Sequence, residues 1–234
     1  MNEETEILRL VFGDSSDGEE ENISRSPSIS YGEAIWESIN DVQGLWLCRD
    51  FISTLQQSYL VSAIQNERWF ADDSNNQAMR FGDLPEWATR LSDWIFRASL
   101  LGRCSDEQVG SRGTGFPMPV EIACREPLFD QLIANVYQPG EGICAHVDLL
   151  RFEDGIAIVS LESSCVMHFS EVDGDRPKVA VLLTPGSLII MSGEARYQWK
   201  HEICRKPGVQ VWEGVELIQE RRISITMRKL SSIC

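Results

Sequence analysis

Beyond residue 130 the chain is a succession of short apolar runs, at roughly 131–137, 143–148, 156–161, 164–169, 178–183, 187–191, 197–203 and 221–228. Turn signals such as Asp173-Gly174-Asp175 and Thr184-Pro185-Gly186 separate them. Closely spaced strands of this length predict a β-sandwich or jelly roll. Before residue 130 the period changes. Phe51, Leu55, Tyr59 and Leu60 recur at helical spacing within Asp50–Ile64, with Ser53 or Thr54 available as a cap. Leu84–Phe96 forms a second helical pattern, with Pro85 suited to its first turn. Between the two lies Ala71–Gly82, polar and rich in turn residues, while residues 102–119 carry Gly, Ser and Arg and end in Phe116-Pro-Met-Pro119, which reads as a mobile loop. The expected fold class is mainly β with flanking helices (α+β).

The first thirty residues differ in kind. They hold eight acids against Arg9 and Arg25, a net charge of −6 that includes Asp14-Ser-Ser-Asp-Gly-Glu-Glu-Glu21. Such a segment cannot bury enough apolar surface to offset the entropy of ordering, so residues 1–30 are expected to be a disordered tail. Residues 31–234 are then one folded domain, with helices and a covering segment over 45–130 and a β core over 131–230. The whole chain carries −15, so this domain is itself acidic at −9. That weakens the case for polyanion binding, whose affinity comes from Lys and Arg displacing counterions, unless Arg80, Arg97, Arg103, Arg112 and Arg151 form a local basic patch at the cleft.

Composition limits the setting. The chain is 43% hydrophobic but contains no apolar run near 18 residues, so no membrane span is expected. The opening Met-Asn-Glu-Glu-Thr-Glu has neither the basic nor the apolar region of a secretory signal. Seven cysteines form no Cys-x-x-Cys pair and leave an odd thiol. Reduced thiols, a cytoplasmic or nuclear location and a monomer are the expectations.

Candidate chemistry concentrates in the β region. His146 and Asp148 are spaced i, i+2, which in an extended strand puts imidazole and carboxylate on one face, and His201 supplies a distant third ligand. Two histidines and one carboxylate are the facial triad of non-haem Fe(II). Cys144 and Cys204 flank these positions, and a zinc site that uses them is the rival reading. In Arg221–Leu230 strict alternation places Ile223, Ile225 and Met227 on one face and Arg222, Ser224, Thr226 and Arg228 on the other. Six residues separate the two arginines by about 20 Å along a strand, so the inward-leaning guanidiniums could grip both ends of a short dicarboxylate of the shape of 2-oxoglutarate. Asn135 and Tyr137 likewise share a face, and Pro139-Gly-Glu-Gly142 reads as the turn that delivers the next strand to His146.

In that order these motifs (Asn135-x-Tyr137, the Pro139 to Asp148 run, His201, and Arg222-x5-Arg228) resemble the AlkB family of Fe(II)/2-oxoglutarate dioxygenases. Glu194–His201 is most similar to its tRNA-modifying branch. The resemblance covers about residues 45–230 and implies a double-stranded β-helix. It also implies Fe(II) on His146, Asp148 and His201, and 2-oxoglutarate held by Asn135, Tyr137, Arg222, Ser224 and Arg228. The reaction implied consumes O2, releases succinate and CO2, and hydroxylates a C–H bond; where that carbon sits on nitrogen, the product collapses to an aldehyde and a dealkylated base. The covering segment would contribute Arg80 and Phe81 to the substrate, with Arg151 opposite. One departure concerns the substrate: the DNA-repair branch has an acid two residues beyond the metal aspartate, and here that position is Leu150. Three readings therefore stand at this stage. They are a methylated base in RNA or DNA, a protein side chain, and a non-catalytic interaction module.

Overall fold

Leu45–Cys48, Ile156–Leu161 and Leu188–Met191 are apolar at nearly every position because each strand is buried on both faces, one toward flanking helices and the other toward a second sheet. The computed structural model describes residues 34–72, 75–104, 116–206 and 210–231; the acidic segment 1–30, Arg112 and most of the loop expected at 102–119 lie outside them.

In chain order the elements are β1 (Ile35–Ser38), β2 (Leu45–Cys48), α1 (Thr54–Asn66), β3 (Gln77–Phe81), α2 (Glu86–Leu101), β4 (Arg103–Cys104), α3 (Val120–Ala123), β5 (Gln131–Tyr137), β6 (Ile143–His146), β7 (Ile156–Leu161), β8 (Cys165–Glu171), β9 (Val179–Leu183), β10 (Leu188–Met191), α4 (Glu194–Tyr197), β11 (Trp199–Ile203), β12 (Val211–Trp212), β13 (Val215–Glu216) and β14 (Arg222–Arg228). The larger sheet runs β3-β5-β14-β7-β10-β2-β1-β4 and the smaller β6-β11-β8-β9. Every pairing is antiparallel except that of β1 with β4.

The two sheets face each other as a jelly roll. Alternation along β7 and β10 divides their side chains between two cores. Ile156, Ile158, Ile189 and Met191 join Met167, Phe169, Val181 and Trp199 between the sheets. Ala157, Val159, Leu188 and Ile190 turn outward to meet Leu60, Ile64, Leu91 and Ile95 of α1 and α2. In β14, Ile223, Ile225 and Met227 take the helix side, which sends Arg222, Ser224, Thr226 and Arg228 into the space between the sheets.

Several boundaries differ from the sequence reading. Ser53, one of the two expected caps, is the cap of α1, its hydroxyl accepting from Gln56 N while the Gln56 side chain accepts from Ser53 N, a reciprocal box that starts the helix at Thr54 rather than at Asp50. The second helix begins at Glu86 after Pro85 and extends to Leu101. The stretch 71–82 is not only turn: Gln77–Phe81 pairs with β5 as the edge strand of the larger sheet. β1 and β2 are additional strands. Residues 194–197 form a helical turn, so the strand carrying His201 opens at Trp199. Gly142 sits where the turn from β5 presses on β11, since a Cβ there would lie 2.4 Å from the carbonyl oxygen of Ile203.

Candidate metal centre

His146 and His201 are direct cross-strand partners on β6 and β11, which places their rings 4.3 Å apart, centroid to centroid. β6 ends at His146, so Asp148 lies beyond the strand rather than within it, yet its carboxylate still returns to the same point. One ligand atom from each of His146, Asp148 and His201 lies within 4.8 Å of the others, and His201 Nε2 is 3.8 Å from Asp148 Oδ2. No other group of this kind occurs among the described residues, and neither Cys144 nor Cys204 joins it. His146 Nδ1 donates to the carbonyl of Cys144 at 2.8 Å, which leaves Nε2 with its lone pair for an ion. Burial, reinforced by the neighbouring His146, lowers the pKa of His201 to about 4, so at neutral pH its imidazole is the uncharged form that a metal needs.

Around Asp148 the structure assembles a buried set of partners. Arg228 Nη1 donates to Asp148 Oδ1, its Nε donates to Gln131 Oε1 at 2.6 Å, and its guanidinium lies 3.9 Å from the Phe152 ring centroid. Burial lowers the pKa of Arg228 and the Asp148 carboxylate opposes this. The alternation in β14 thus brings both arginines to one face, but only Arg222 stands clear of a protein anion. Arg222 is 3% exposed; its Nε donates to Ser160 Oγ at 2.9 Å, and among the described residues Nη1 and Nη2 have no partner. A buried guanidinium with two idle donors is costly unless an anion completes it. Tyr137 and Ser224 stand beside it, and burial raises the Tyr137 pKa so that the phenol keeps its proton.

These groups line one cavity of about 150 Å³ between the sheets, with the triad, Asn135, Tyr137, Arg222, Ser224 and Arg228 in its wall. Asn135 Oδ1 accepts from Gln77 Nε2 at 2.7 Å, tying edge strand β3 to the cavity. At the mouth, β3 pairs with β5 so that Met79 and Phe81 share a face with Ile133 and Gln131, the cavity side. Arg80 pairs with Leu132 and points the other way, stacked 4.4 Å over Trp69. The expectation that Arg80 reaches the substrate is therefore corrected: the period of two that exposes Phe81 to the cleft turns its neighbour away, and Met79 takes the place beside Phe81. Arg151 lies over Phe81, at 5.8 Å, and the two residues before it in the chain, Leu149 and Leu150, are exposed. Of the wider patch considered from sequence, Arg97 is engaged by Asp93 on α2.

The sequence reading passed over Gln131, Ser160, Phe152 and Arg196. Each supports a ligand residue from behind, and nothing in a linear pattern distinguishes such a partner from an ordinary core or strand position.

The sequence profile described as "2OG-Fe(II) oxygenase superfamily" matches residues 53–228. The chain belongs to the 2OG-Fe(II) oxygenase superfamily. Among curated proteins it is similar to the "Alkylated DNA repair protein ALKBH8 homolog" of Arabidopsis thaliana, 26% identical over 223 residues, which cover 81% of this chain and 59% of that protein. It is similar also to the "tRNA (carboxymethyluridine(34)-5-O)-methyltransferase alkbh8" of Xenopus tropicalis, 43% identical over 201 residues, 81% of this chain and 30% of that one. The chain thus spans about three fifths and under a third of these two relatives. The solved structure of OsALKBH1, 13% identical with a TM-score of 0.56 over 80% of this chain and 96% of that one, has the same fold. The superfamily's Fe(II), 2-oxoglutarate and O2 agree with the donors present, since the His146, Asp148 and His201 set fits the ion and the idle Arg222 donors fit a carboxylate.

Proposed function

We propose that this oxygenase hydroxylates or oxidatively demethylates a modified base in a nucleic acid, RNA in particular, with release of succinate and CO2. The observation that carries the oxygenase half is the pair of buried Arg222 donors, without a partner among the described residues, in the same cavity as the triad. With Fe(II), 2-oxoglutarate and O2 bound, the site would supply oxidative decarboxylation coupled to attack on a substrate C–H bond. Arg222, with Tyr137 and Ser224 beside it, would bind the distal carboxylate and fix the cosubstrate's direction. Arg228 would hold the Asp148 carboxylate in place while Asn135 steadies the cosubstrate from β5. The uncharged His201, enclosed by Phe169 and His146, keeps bulk water from that side.

The nucleic-acid half rests on exposed side chains. Phe81, Met79, Leu149 and Leu150 offer flat and apolar surface to an unstacked base, and Arg151 adds one cation that can stack or meet a phosphate. The similarity to a relative named for tRNA carboxymethyluridine supports RNA. A domain charge of −9 supports the other class of substrate, a basic protein segment. Reconstitution with Fe(II) and 2-oxoglutarate without air, then turnover with air against modified tRNA, mRNA and DNA nucleosides in their polymers and against Lys- and Arg-methylated peptides, tests the proposal. Product from RNA is the expected outcome. Product from peptide alone would overturn the substrate class and leave the oxygenase assignment standing.

A further inference from the structure

Arg196 is 2% exposed, and its guanidinium is spent on backbone carbonyls. Nη1 donates to the carbonyl of Asp148 at 3.0 Å, and Nη2 donates to those of Leu149 at 2.8 Å and Phe152 at 3.0 Å. Its Nε has no hydrogen-bond partner among the described residues. Taking a cation out of water for neutral acceptors is expensive, and an apolar side chain of similar length would fill the same space at lower cost. The contacts all fall on one short loop. That loop begins at the metal carboxylate, and because β6 stops at His146 no sheet ladder fixes the backbone of Asp148.

The far end of the loop is tied to the same place. Gly193 N, at the start of α4, donates to both carboxylate oxygens of Asp154, at 2.9 and 3.1 Å. Segment 193–196 therefore grips residues 148–154 at two points and then runs directly into β11 and His201. Phe152, held through its carbonyl by Arg196, presents its ring to Arg228, which in turn bonds the Asp148 side chain. Backbone and side chain of the aspartate are thus each held by a different buried arginine.

We infer that Arg196 is a positioning residue for the metal centre: by collecting three carbonyls of the 148–152 loop on one guanidinium, it locks the backbone from which the Asp148 carboxylate projects to the segment that carries His201. The two halves of the triad then keep their spacing before any ion arrives. Support of this kind behind a ligand typically changes metal affinity by 10–100-fold. The inference rests on the triad being the metal site, and the experiment separates the two.

Cobalt(II) is the probe, added without cosubstrate to the purified full chain and to Arg196→Met and Arg196→Lys, with the visible d–d band and affinity as readouts and metal-free melting measured in parallel. Wild-type protein should bind one Co(II) and lose this binding in His201→Ala; if it does not, the metal-site reading itself fails. Given wild-type binding, Arg196→Met should weaken Co(II) by 10–100-fold with a shifted or broadened band, and Arg196→Lys, which keeps the charge but cannot reach all three carbonyls, should fall between. A folded Arg196→Met with affinity within twofold of wild type and an unchanged band would overturn the inference, whatever its melting temperature. Should the Met variant not fold, Arg196→Lys decides alone: binding weakened at least threefold supports positioning, and wild-type binding overturns it.

Discussion

Replacing Arg222 by Met tests the cosubstrate pocket with two effects of opposite expected sign. In the metal-free, cosubstrate-free protein the guanidinium is 3% exposed, keeps one hydrogen bond to Ser160, and leaves Nη1 and Nη2 unpaired among the described residues. Methionine has similar length and no charge to desolvate, so the free protein should melt at the same temperature or higher. Binding should suffer. A hydrogen bond to a charged group contributes about 1.5–3 kcal/mol, and losing the two that a carboxylate would accept from Nη1 and Nη2 costs about 3 kcal/mol after partial compensation by Tyr137 and Ser224, or roughly a hundredfold in Kd. The assay is 2-oxoglutarate titration of the Mn(II)-loaded protein, by calorimetry or thermal shift, in wild type, Arg222→Met and Arg221→Ala. Arg221 is the internal control, since it sits on the surface paired with Glu162, outside the cavity, and its variant should bind normally. Affinity of Arg222→Met within threefold of wild type would exclude Arg222 as the carboxylate anchor, and a fall of many degrees in its free melting temperature would show that the guanidinium stabilises the empty pocket.

Three other outcomes follow from the same geometry. Asp148→Ala should abolish binding of Co(II) or Mn(II) and also destabilise the free protein by about 3–5 kcal/mol in chemical denaturation, because it leaves Arg228 buried without its carboxylate; loss of binding with unchanged stability would argue that Arg228 is solvated. In the metal-free protein His201 has its pKa lowered from 6.5 to about 4 by burial, so between these values the unfolded chain binds a proton that the folded chain refuses. Stability should therefore be level above about pH 6.5 and decline as pH falls toward 4, by about 3 kcal/mol for this residue, a decline that His201→Phe removes; an equal decline in that variant would assign it to other groups. Deleting residues 1–30, which carry −6 and no core-forming pattern, should leave melting temperature and basal 2-oxoglutarate turnover unchanged while nucleic-acid binding stays equal or tightens; an unfolded or inactive truncation would place that segment in the domain.

What could be read from the sequence follows from how local its cause is. The face shared by Arg222, Ser224, Thr226 and Arg228 is fixed by alternation alone, and the structure keeps it from one end of β14 to the other. The His146 and Asp148 pair was legible from its spacing, but the strand ends between the two ligands and the loop rather than the pleat returns the carboxylate. Arg228 was visible as a candidate but its attachment to Asp148 was not, because that bond joins residues 80 positions apart and depends on the packing of β14 against the loop. Arg196 stood in plain view in Glu194–His201 without any mark of its role: its acceptors are carbonyls, and every residue has one. β2 escaped because a four-residue run buried on both faces lacks periodicity, β1 because four residues with only Trp36 buried are too short a pattern, and β3 because it follows the turn residues Asp72–Asn76 directly and is decided by pairing with β5. That same pairing separated Arg80 from Phe81, neighbours in sequence and on opposite faces in the sheet.

Single-turnover mass spectrometry on bulk modified RNA asks whether the triad and the Arg222 pocket oxidise a nucleic-acid base. Full-length protein loaded with Fe(II) and 2-oxoglutarate should convert a modified nucleoside in the RNA to a product heavier by one oxygen or lighter by its alkyl group, with succinate formed in equal amount and both lost in Asp148→Ala. Succinate formation that never rises on addition of RNA or DNA, together with nucleosides of unchanged mass, would exclude a nucleic-acid base as the substrate.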